Sequence, residues 1–191
     1  MPLIDPNRSV VPLDERLAKE TNAVFRRQLE EVRFHIATEV YGDVEPALAR
    51  LSEHAVYELY DNVNPPTSIA GVEAIRSNFY DGLAQMMDPR LEWYSTRVLV
   101  DEGHVLTEGD QKCAFRGSYL ASQGFDVDPD RFYLSEQHHL VVWPFDEAGK
   151  LIGETIFFGY LTPLAEVAQR PLTPAECGEW TLGPIAVPAA G

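Results

Sequence analysis

The sequence is short of positive charge and of cysteine. Its 15 Lys and Arg residues stand against 30 Asp and Glu residues, which gives a formal net charge of -15. Nucleic acid and anionic membrane surfaces would repel such a chain, so we expect neither as a partner. Cys113 and Cys177 lie far apart in the sequence and match no metal-ligand spacing, so no metal site is predicted.

Long apolar runs are missing as well. No stretch approaches the roughly 20 apolar residues that a membrane-spanning helix needs, and residues 1–14 lack the apolar centre of a signal peptide. The sequence also contains no Gly-rich phosphate loop and no Ser-His-Asp order. We therefore expect a cytoplasmic protein that uses no cofactor.

The apolar pattern of the first half predicts helices. Steps of three and four along residues 14–41 predict a helix that ends at Gly42, with its apolar face formed by Phe25, Leu29, Val32, Ile36 and Val40. Before it, residues 1–13 contain three prolines and indicate an extended arm. A short second helix follows Asp43, and residues 55–61 indicate a strand. A loop with Pro65 and Pro66 follows, and residues 71–85 again have helical spacing.

The second half changes to a period of two, which is typical of strands. Four long strands are predicted, over residues 92–100, 105–115, 132–145 and 150–158. The polar residues 117–131 indicate a long loop or lid. The Pro-rich residues 161–191 indicate a C-terminal tail that follows one domain over residues 1–160, and Thr173 begins a capping-box pattern in it. Helices followed by a strand meander predict an α+β fold, in which the twisted sheet and the helices enclose a cavity.

Three fragments carry a resemblance to a known family. Residues 51–57, 71–76 and 146–152, in this order and spacing, resemble the NTF2-like superfamily, and within it the SnoaL-like and ketosteroid-isomerase-like proteins. The resemblance implies an NTF2-like cone, in which a curved mixed or antiparallel sheet wraps around a pocket roofed by three N-terminal helices. Members of this superfamily include isomerases, cyclases, dehydratases and epoxide hydrolases, and also proteins that only bind or dimerise, so the fold does not supply the function.

The positions that carry catalytic groups in enzymatic members are mostly apolar here. The two acid positions of ketosteroid-isomerase-like and SnoaL-like members fall on Leu59 and Val141, and the His of dehydratase-like members falls on Trp93. The Asp-Arg-Asp set of limonene-epoxide-hydrolase-like members falls close to Gly109, Gln111 and Ile156. The resemblance alone therefore names no complete catalytic set.

One fragment does match, and it leaves two alternatives open. Tyr60 and Asn62 resemble the Tyr-x-Asn that holds water in epoxide-hydrolase-like members. Because strand neighbours face opposite sides, either Tyr60 and Asn62 point into the pocket or Tyr57, Leu59 and Asp61 do. Asp61 is a candidate acid or base if it lies in an apolar cavity, and otherwise it caps a turn in a loop.

His139 is the candidate general base. It shares strand parity with Val141 and Trp143, and an imidazole there could exchange protons near neutral pH. The alternative is a histidine that is hydrogen-bonded within the sheet or at a subunit interface. Glu108 and Asp110 share one face of their strand, either as an acid–base pair or on the solvated side of the sheet.

The aromatic residues indicate a flat, apolar ligand. The predicted substrate-binding residues are Tyr57, Trp93, Phe115, Tyr119, Trp143 and Phe158. The favoured hypothesis is an isomerase, cyclase, lyase or hydrolase that uses acid–base chemistry, with His139, Asp61, Tyr60 and Asn62 as its catalytic residues. The alternative is a non-catalytic ligand-binding or oligomerisation module, such as the small subunit of a ring-hydroxylating oxygenase. A homodimer or higher homo-oligomer is expected in either case.

Overall fold

The computed structural model describes residues 2–61 and 64–188. The helices are α1 (Val11–Leu17), α2 (Ala23–Tyr41), α3 (Glu45–Leu48), α4 (Val72–Ala74), α5 (Asp81–Met86), α6 (Gly117–Ser122) and α7 (Leu164–Val167), with a π-helical turn at Ile75–Tyr80 and 3₁₀ turns at Pro6–Val10 and Pro174–Glu176. The strands are β1 (Val56–Tyr60), β2 (Thr67–Ala70), β3 (Met87–Asp101), β4 (His104–Arg116), β5 (Phe132–Pro144), β6 (Gly153–Leu161) and β7 (Pro171–Leu172). No helix of the described residues is long and apolar enough to cross a bilayer.

The described strands form one curled mixed sheet in the order β2-β1-β6-β5-β4-β3, with β7 beside β5. Strands β3 to β6 are the predicted antiparallel meander, and β1 joins it in parallel next to β6. Helix α2 packs against β3 and β4. The core lies between this helix and the inner face of the sheet, and its largest fully buried side chains are Trp143 and Tyr57. The predicted α+β cone is confirmed.

The predicted helix over residues 14–41 is in fact two helices. Helix α1 ends at Leu17, and α2 begins at Ala23 because the side chain of Asn22 accepts a hydrogen bond from the amide of Val24, 2.9 Å away. The prediction that Gly42 ends the helix is confirmed, since Gly42 has a φ of 85°. The break turns α1 back so that it contacts both α2 and β3.

The N-terminal segment is not an extended arm. Residues Pro6–Val10 form a 3₁₀ turn and α1 begins directly after it. The buried carboxylate of Glu92 accepts a hydrogen bond from the Asp5 amide at 2.9 Å and pairs with Arg8 at 2.8 Å. The hydroxyl of Ser9 accepts from the Trp93 amide at 2.8 Å. These contacts cover the edge of the sheet at β3. The three prolines of this segment do not predict such contacts, because they involve residues far along the chain.

Two predicted loops also contain regular structure. Residues 117–122 form α6, so the prediction of a loop is wrong there, and Phe125 and Val127 after it pack against the core. Strand β2 lies within the predicted Pro-rich loop and pairs antiparallel with β1. In the C-terminal segment β7 pairs with β5, and the capping box predicted at Thr173 is confirmed.

Candidate active site

A cluster of titratable side chains lies inside the cone. Its members, which we call the acidic cluster, are His35, Glu39, Tyr57, Tyr80 and Glu154. They come from four elements: α2 supplies the first two, and β1, the π-helical turn and β6 supply one each. The side chains of His35, Glu39 and Glu154 are 3%, 9% and 1% exposed, and Tyr57 is fully buried. Buried carboxylates are rare unless they are paired or have a function.

The backbone explains why these groups meet. His35 and Glu39 are four residues apart on α2 and so share one face of the helix. The parallel pairing of β1 with β6 places Tyr57 opposite Glu154. Gly153 permits this pairing: its φ is 135°, and a Cβ there would lie 1.8 Å from the carbonyl oxygen of Val56. The cluster therefore depends on one close approach of two strands.

Tyr80 lies at the end of a segment with an unusual backbone conformation. The turn Ile75–Tyr80 is π-helical, a conformation that is rare in proteins and frequent at functional sites. Tyr80 is the last residue of this turn and is 8% exposed. Its ring meets that of Phe79 at 5.1 Å, and Phe79 in turn meets Tyr57 at 5.2 Å. Aromatic packing thus holds both hydroxyl groups toward His35.

Hydrogen bonds connect four members of the cluster. Nε2 of His35 lies 3.0 Å from each tyrosine hydroxyl, and the two hydroxyls lie 3.1 Å apart. Tyr80 donates its hydroxyl proton to Oε1 of Glu39 at 2.7 Å. Oε1 of Glu154 lies 3.1 Å from Nε2 of His35, with which it forms an ion pair when His35 is protonated, but it accepts no hydrogen bond within the described part of the chain. A proton can therefore move between these groups over short distances.

The electrostatics separate the two carboxyl groups. Burial and the nearby charge of Glu154 raise the pKa of Glu39 to about 8. Burial opposes a charge on His35, but the contact with Glu154 and the charge of Glu39 outweigh it, so the pKa of His35 is raised. Burial and the same carboxylates hold the pKa values of Tyr57 and Tyr80 well above their usual range. Near neutral pH Glu39 thus keeps its proton, and the neighbouring Glu154 favours the protonated form of His35 by raising its pKa.

This arrangement can give and take protons. Oε2 of Glu39 is buried and has no hydrogen-bond partner among the described residues, so its proton is not committed to another group. Ligand-type atoms of His35, Glu39 and Glu154 lie within 4.8 Å of one another and could reach one cation. The short contacts among the same groups also permit proton transfer.

His139, the predicted base, lies on the inner face of the sheet and is not part of the acidic cluster. It is 2% exposed, and neither ring nitrogen has a hydrogen-bond partner among residues 2–61 and 64–188. Its ring meets the ring of Trp93 at 4.6 Å. Burial lowers the pKa of His139 to about 3, so the ring is neutral near pH 7. Its catalytic role stays a prediction.

The two faces of β1 are now distinguished. Tyr57 is buried, and Leu59 packs against the core, so their face points inward. Tyr60 lies on the other face, where its ring stacks on Phe157 at 4.9 Å. Asp61 accepts hydrogen bonds from the backbone and the side chain of Asn64, as a turn-capping residue does.

Asn62 lies outside the described residues.

The structure shows where the other residues singled out from the sequence lie. Glu108 and Asp110 lie on the outer face and bracket His138, at 3.3 Å and 2.8 Å from its two ring nitrogens. The predicted substrate-binding aromatics are all in the interior, with Tyr57, Trp93, Phe115 and Trp143 buried and Tyr119 and Phe158 half-buried against the core.

Sequence reasoning missed most of the acidic cluster. Of its five members, only Tyr57 is a candidate from the sequence patterns. One signal was present: His35 and Glu39 lie on the same helix, four residues apart, next to the apolar stripe that predicts α2. Glu154 gave no comparable signal, because its inward direction depends on the register of β6.

Two clefts open at the surface. One, of about 560 Å³, lies between α2 and residues 180–187, and the other, of about 440 Å³, is bordered by Ser52, Glu58 and Thr155. The lining of neither cleft includes a member of the acidic cluster. The deep pocket expected inside the cone stays a prediction.

Comparison with known proteins places the fold. No family model matches the chain, and no curated protein gives a significant match. A putative SnoaL-like polyketide cyclase from Jannaschia sp. CCS1 matches with a TM-score of 0.56 at 16% identity, over 80% of this chain and 99% of that one. An NTF2-like protein from Anabaena variabilis matches with a TM-score of 0.53 at 14% identity, over 74% and 96%. A third match is an epoxide hydrolase/cyclase-like enzyme with a role in pyran ring formation in the polyether salinomycin. Its TM-score is 0.50 at 15% identity, over 70% of this chain and 92% of that one.

These matches define a class of architecture. The chain has the NTF2-like fold, the one shared by SnoaL-like cyclases and NTF2-like proteins. At such identities the likeness concerns the fold alone, so the function has to be argued from the site.

Proposed function

We propose that this protein is an enzyme that transforms a small apolar molecule by acid–base chemistry, as an isomerase, cyclase, lyase or hydrolase of the SnoaL-like type. The acidic cluster carries the proposal. Glu39, whose carboxyl group keeps a proton near pH 7, and the second carboxyl group of Glu154 lie beside one imidazole in a site shielded from water. A buried group whose pKa is strongly shifted by burial and by a specific charged neighbour is a usual mark of a functional site.

Glu39 is proposed as the general acid. Its carboxyl group keeps a proton near pH 7, and its free oxygen faces no partner among the described residues. It can therefore protonate a carbonyl, hydroxyl or epoxide oxygen of the substrate. Glu154, paired with His35, is the complementary base, and it takes one proton from the substrate or from water for each proton that Glu39 gives.

The two tyrosines are proposed to orient the substrate oxygen. Their hydroxyls lie 3.1 Å apart and remain protonated, because their pKa values are raised. Such donors stabilise negative charge that develops on an oxygen, and they do so more strongly away from water. Two structural neighbours, a putative SnoaL-like polyketide cyclase and an epoxide hydrolase/cyclase-like enzyme, are consistent with this chemistry.

The residues predicted earlier keep proposed roles around this centre. The neutral ring of His139 and the indole of Trp93 belong to the interior wall, together with the buried Trp143 and Phe115. A homodimer is proposed through the outer sheet face, which exposes Phe157 and Tyr160 by 42% and 53%. A purely non-catalytic module would have no need to bury two carboxyl groups at such a cost.

The test is a substrate panel with matched variants. Apolar epoxides, β-hydroxy ketones and β,γ-unsaturated ketones are offered to the wild-type protein, to Glu39→Gln and to Glu154→Gln. We expect turnover of at least one class, lowered about 100-fold or more in both variants. Glu108→Gln on the outer face is the control and should keep full activity. Turnover that survives in both cluster variants, with folding confirmed by circular dichroism, would refute the assignment.

A further inference from the structure

A second group of polar atoms inside the cone lacks partners altogether. Nε1 of Trp93, Oγ of Ser95 and both ring nitrogens of His139 are buried and have no hydrogen-bond partner within the described part of the chain. Trp93, Ser95 and His139 are 5%, 2% and 2% exposed. Buried polar groups are almost always hydrogen-bonded, so a concentration of unmet ones requires an explanation.

The sheet brings these side chains together. Trp93 and Ser95 are two residues apart on β3 and both are buried. Ser95 pairs with Gly109 on β4, and Gly109 pairs with His139 on β5, so Ser95 and His139 lie in one row across three strands. The rings of Trp93 and His139 meet at 4.6 Å. A β-bulge between Ser95 and Arg97 adjusts the direction of the side chains at this point.

In the other two tryptophans the indole N–H donates a hydrogen bond. The indole N–H of Trp143 donates to Oγ1 of Thr107 at 2.9 Å, and that of Trp180 donates to the carbonyl oxygen of Gly183 at 2.8 Å. Only Trp93 lacks such an acceptor among the described residues. Its N–H is buried, and its ring lies against that of His139, whose nitrogens are also unmet.

We propose that Trp93, Ser95 and His139 form a binding subsite for a neutral hydroxyl or carbonyl oxygen of a small apolar molecule. The three side chains offer the donors and acceptors that such an oxygen needs: an indole N–H, a hydroxyl, and an imidazole with one N–H and one bare nitrogen. Neither an anion nor a cation suits the subsite, because burial lowers the pKa of His139 and keeps its ring uncharged. In this subsite His139 recognises the ligand and does not act as the base.

An aromatic wall connects the subsite with the acidic cluster. The ring of Trp143 lies 5.7 Å from that of Trp93 and 5.5 Å from that of His35. A flat molecule along this wall would present one end to the subsite and the other to Glu39. The inference rests on the proposed function in taking both groups as parts of one ligand space, so it is tested by binding and not by turnover.

The experiment follows the three indole N–H signals of ¹⁵N-tryptophan-labelled protein by NMR. The probes are 2-naphthol, naphthalene, which lacks the oxygen, and 2-naphthoate, which carries a charge. We expect 2-naphthol to move the Trp93 signal downfield and to leave the surface Trp180 signal in place. Naphthalene and 2-naphthoate should bind about 10-fold more weakly or worse, since each leaves buried polar atoms unmet or brings an unpaired charge.

Variants separate recognition from structure. His139→Phe should weaken 2-naphthol binding about 10-fold and should leave the melting temperature unchanged or raised, because it removes two unmatched polar atoms. Glu39→Gln, a change outside the subsite, should leave 2-naphthol binding within about 2-fold, and this outcome distinguishes the subsite from the proposed catalytic centre. The subsite is refuted if no probe moves the Trp93 signal, or if Glu39→Gln and not His139→Phe weakens binding.

Discussion

Replacing Glu39 by glutamine should stabilise the protein, and the difference between variant and wild type should grow as the pH rises. Glutamine has nearly the shape of a protonated glutamic acid and can still accept the hydrogen bond from Tyr80. At pH 6.5 the folded wild type keeps Glu39 protonated while the unfolded chain has released this proton, so the variant should already be the more stable protein. At higher pH the wild type must either bury a second carboxylate or unfold, and the variant faces no such choice.

The magnitude follows from the proton count. Glu39 has a pKa of about 8 in the folded protein, against an ordinary value of 4.5. Between these values the folded state binds a proton that the unfolded state has released, so stability falls as the pH rises. The slope is about 1.4 kcal/mol per pH unit for one proton. From pH 6.5 to pH 8 the wild type should therefore lose on the order of 1.5 to 2 kcal/mol through Glu39.

The measurement is urea unfolding of both proteins at pH 6.5, 7.0, 7.5 and 8.0. His139 titrates near pH 6.5 in the unfolded chain and has an effect of the opposite sign, but both proteins contain it, so it cancels in their difference. The raised pKa of His35 causes a further loss of stability as the pH rises, and both proteins share this loss. Glu108→Gln is the control, since the pKa of Glu108 is lowered by Arg97 and no proton is bound there in this window. Parallel curves for wild type and Glu39→Gln would refute the protonated state of Glu39, and with it the proposed acid.

Three further predictions concern stability. Glu154→Gln leaves the buried cation of His35 without its partner and should cost about 3–5 kcal/mol, measured by urea unfolding at pH 6; a loss below about 1 kcal/mol would mean that the ion pair is absent. Gly153→Ala should separate β1 from β6 and lower the melting temperature by several degrees, whereas Gly82→Ala in α5, where a Cβ meets nothing within 4 Å, should be neutral or slightly stabilising; equal effects would contradict the close approach. Asn22→Ala removes the cap of α2 and should cost about 1 kcal/mol, and an unchanged denaturation midpoint would show that the cap contributes nothing.

The cluster and the subsite share a physical cost that favours a functional explanation. A fold selected only for stability would replace Glu39, Glu154 and His139 by apolar residues of similar volume, since such replacements are often neutral or stabilising. Natural proteins accept unmet polar groups chiefly where function uses them. The two groups face the same interior, and the rings between them are apolar.

The sequence by itself determined the class of fold. The helical spacing that ends at Gly42 and the change to a period of two after residue 91 are local patterns, and each depends on which side of an element must be buried. The meander of four strands follows from them. Local patterns could not reveal that Asn22 divides the first helix, or that residues 2–10 fold across the sheet edge, because both depend on contacts with partners distant in sequence.

The candidate site was decided by tertiary structure. His139 could be assigned to the interior from its strand parity, and His35 and Glu39 could be paired from their helical spacing. Their meeting with Tyr57, Tyr80 and Glu154 could not be assigned, since it requires the parallel register of β1 on β6 and one π-helical turn. Protonation is set in the same way: the pKa of a carboxyl group depends on the charges and the solvent around it, and those are properties of the assembled interior and not of the neighbouring residues in the chain.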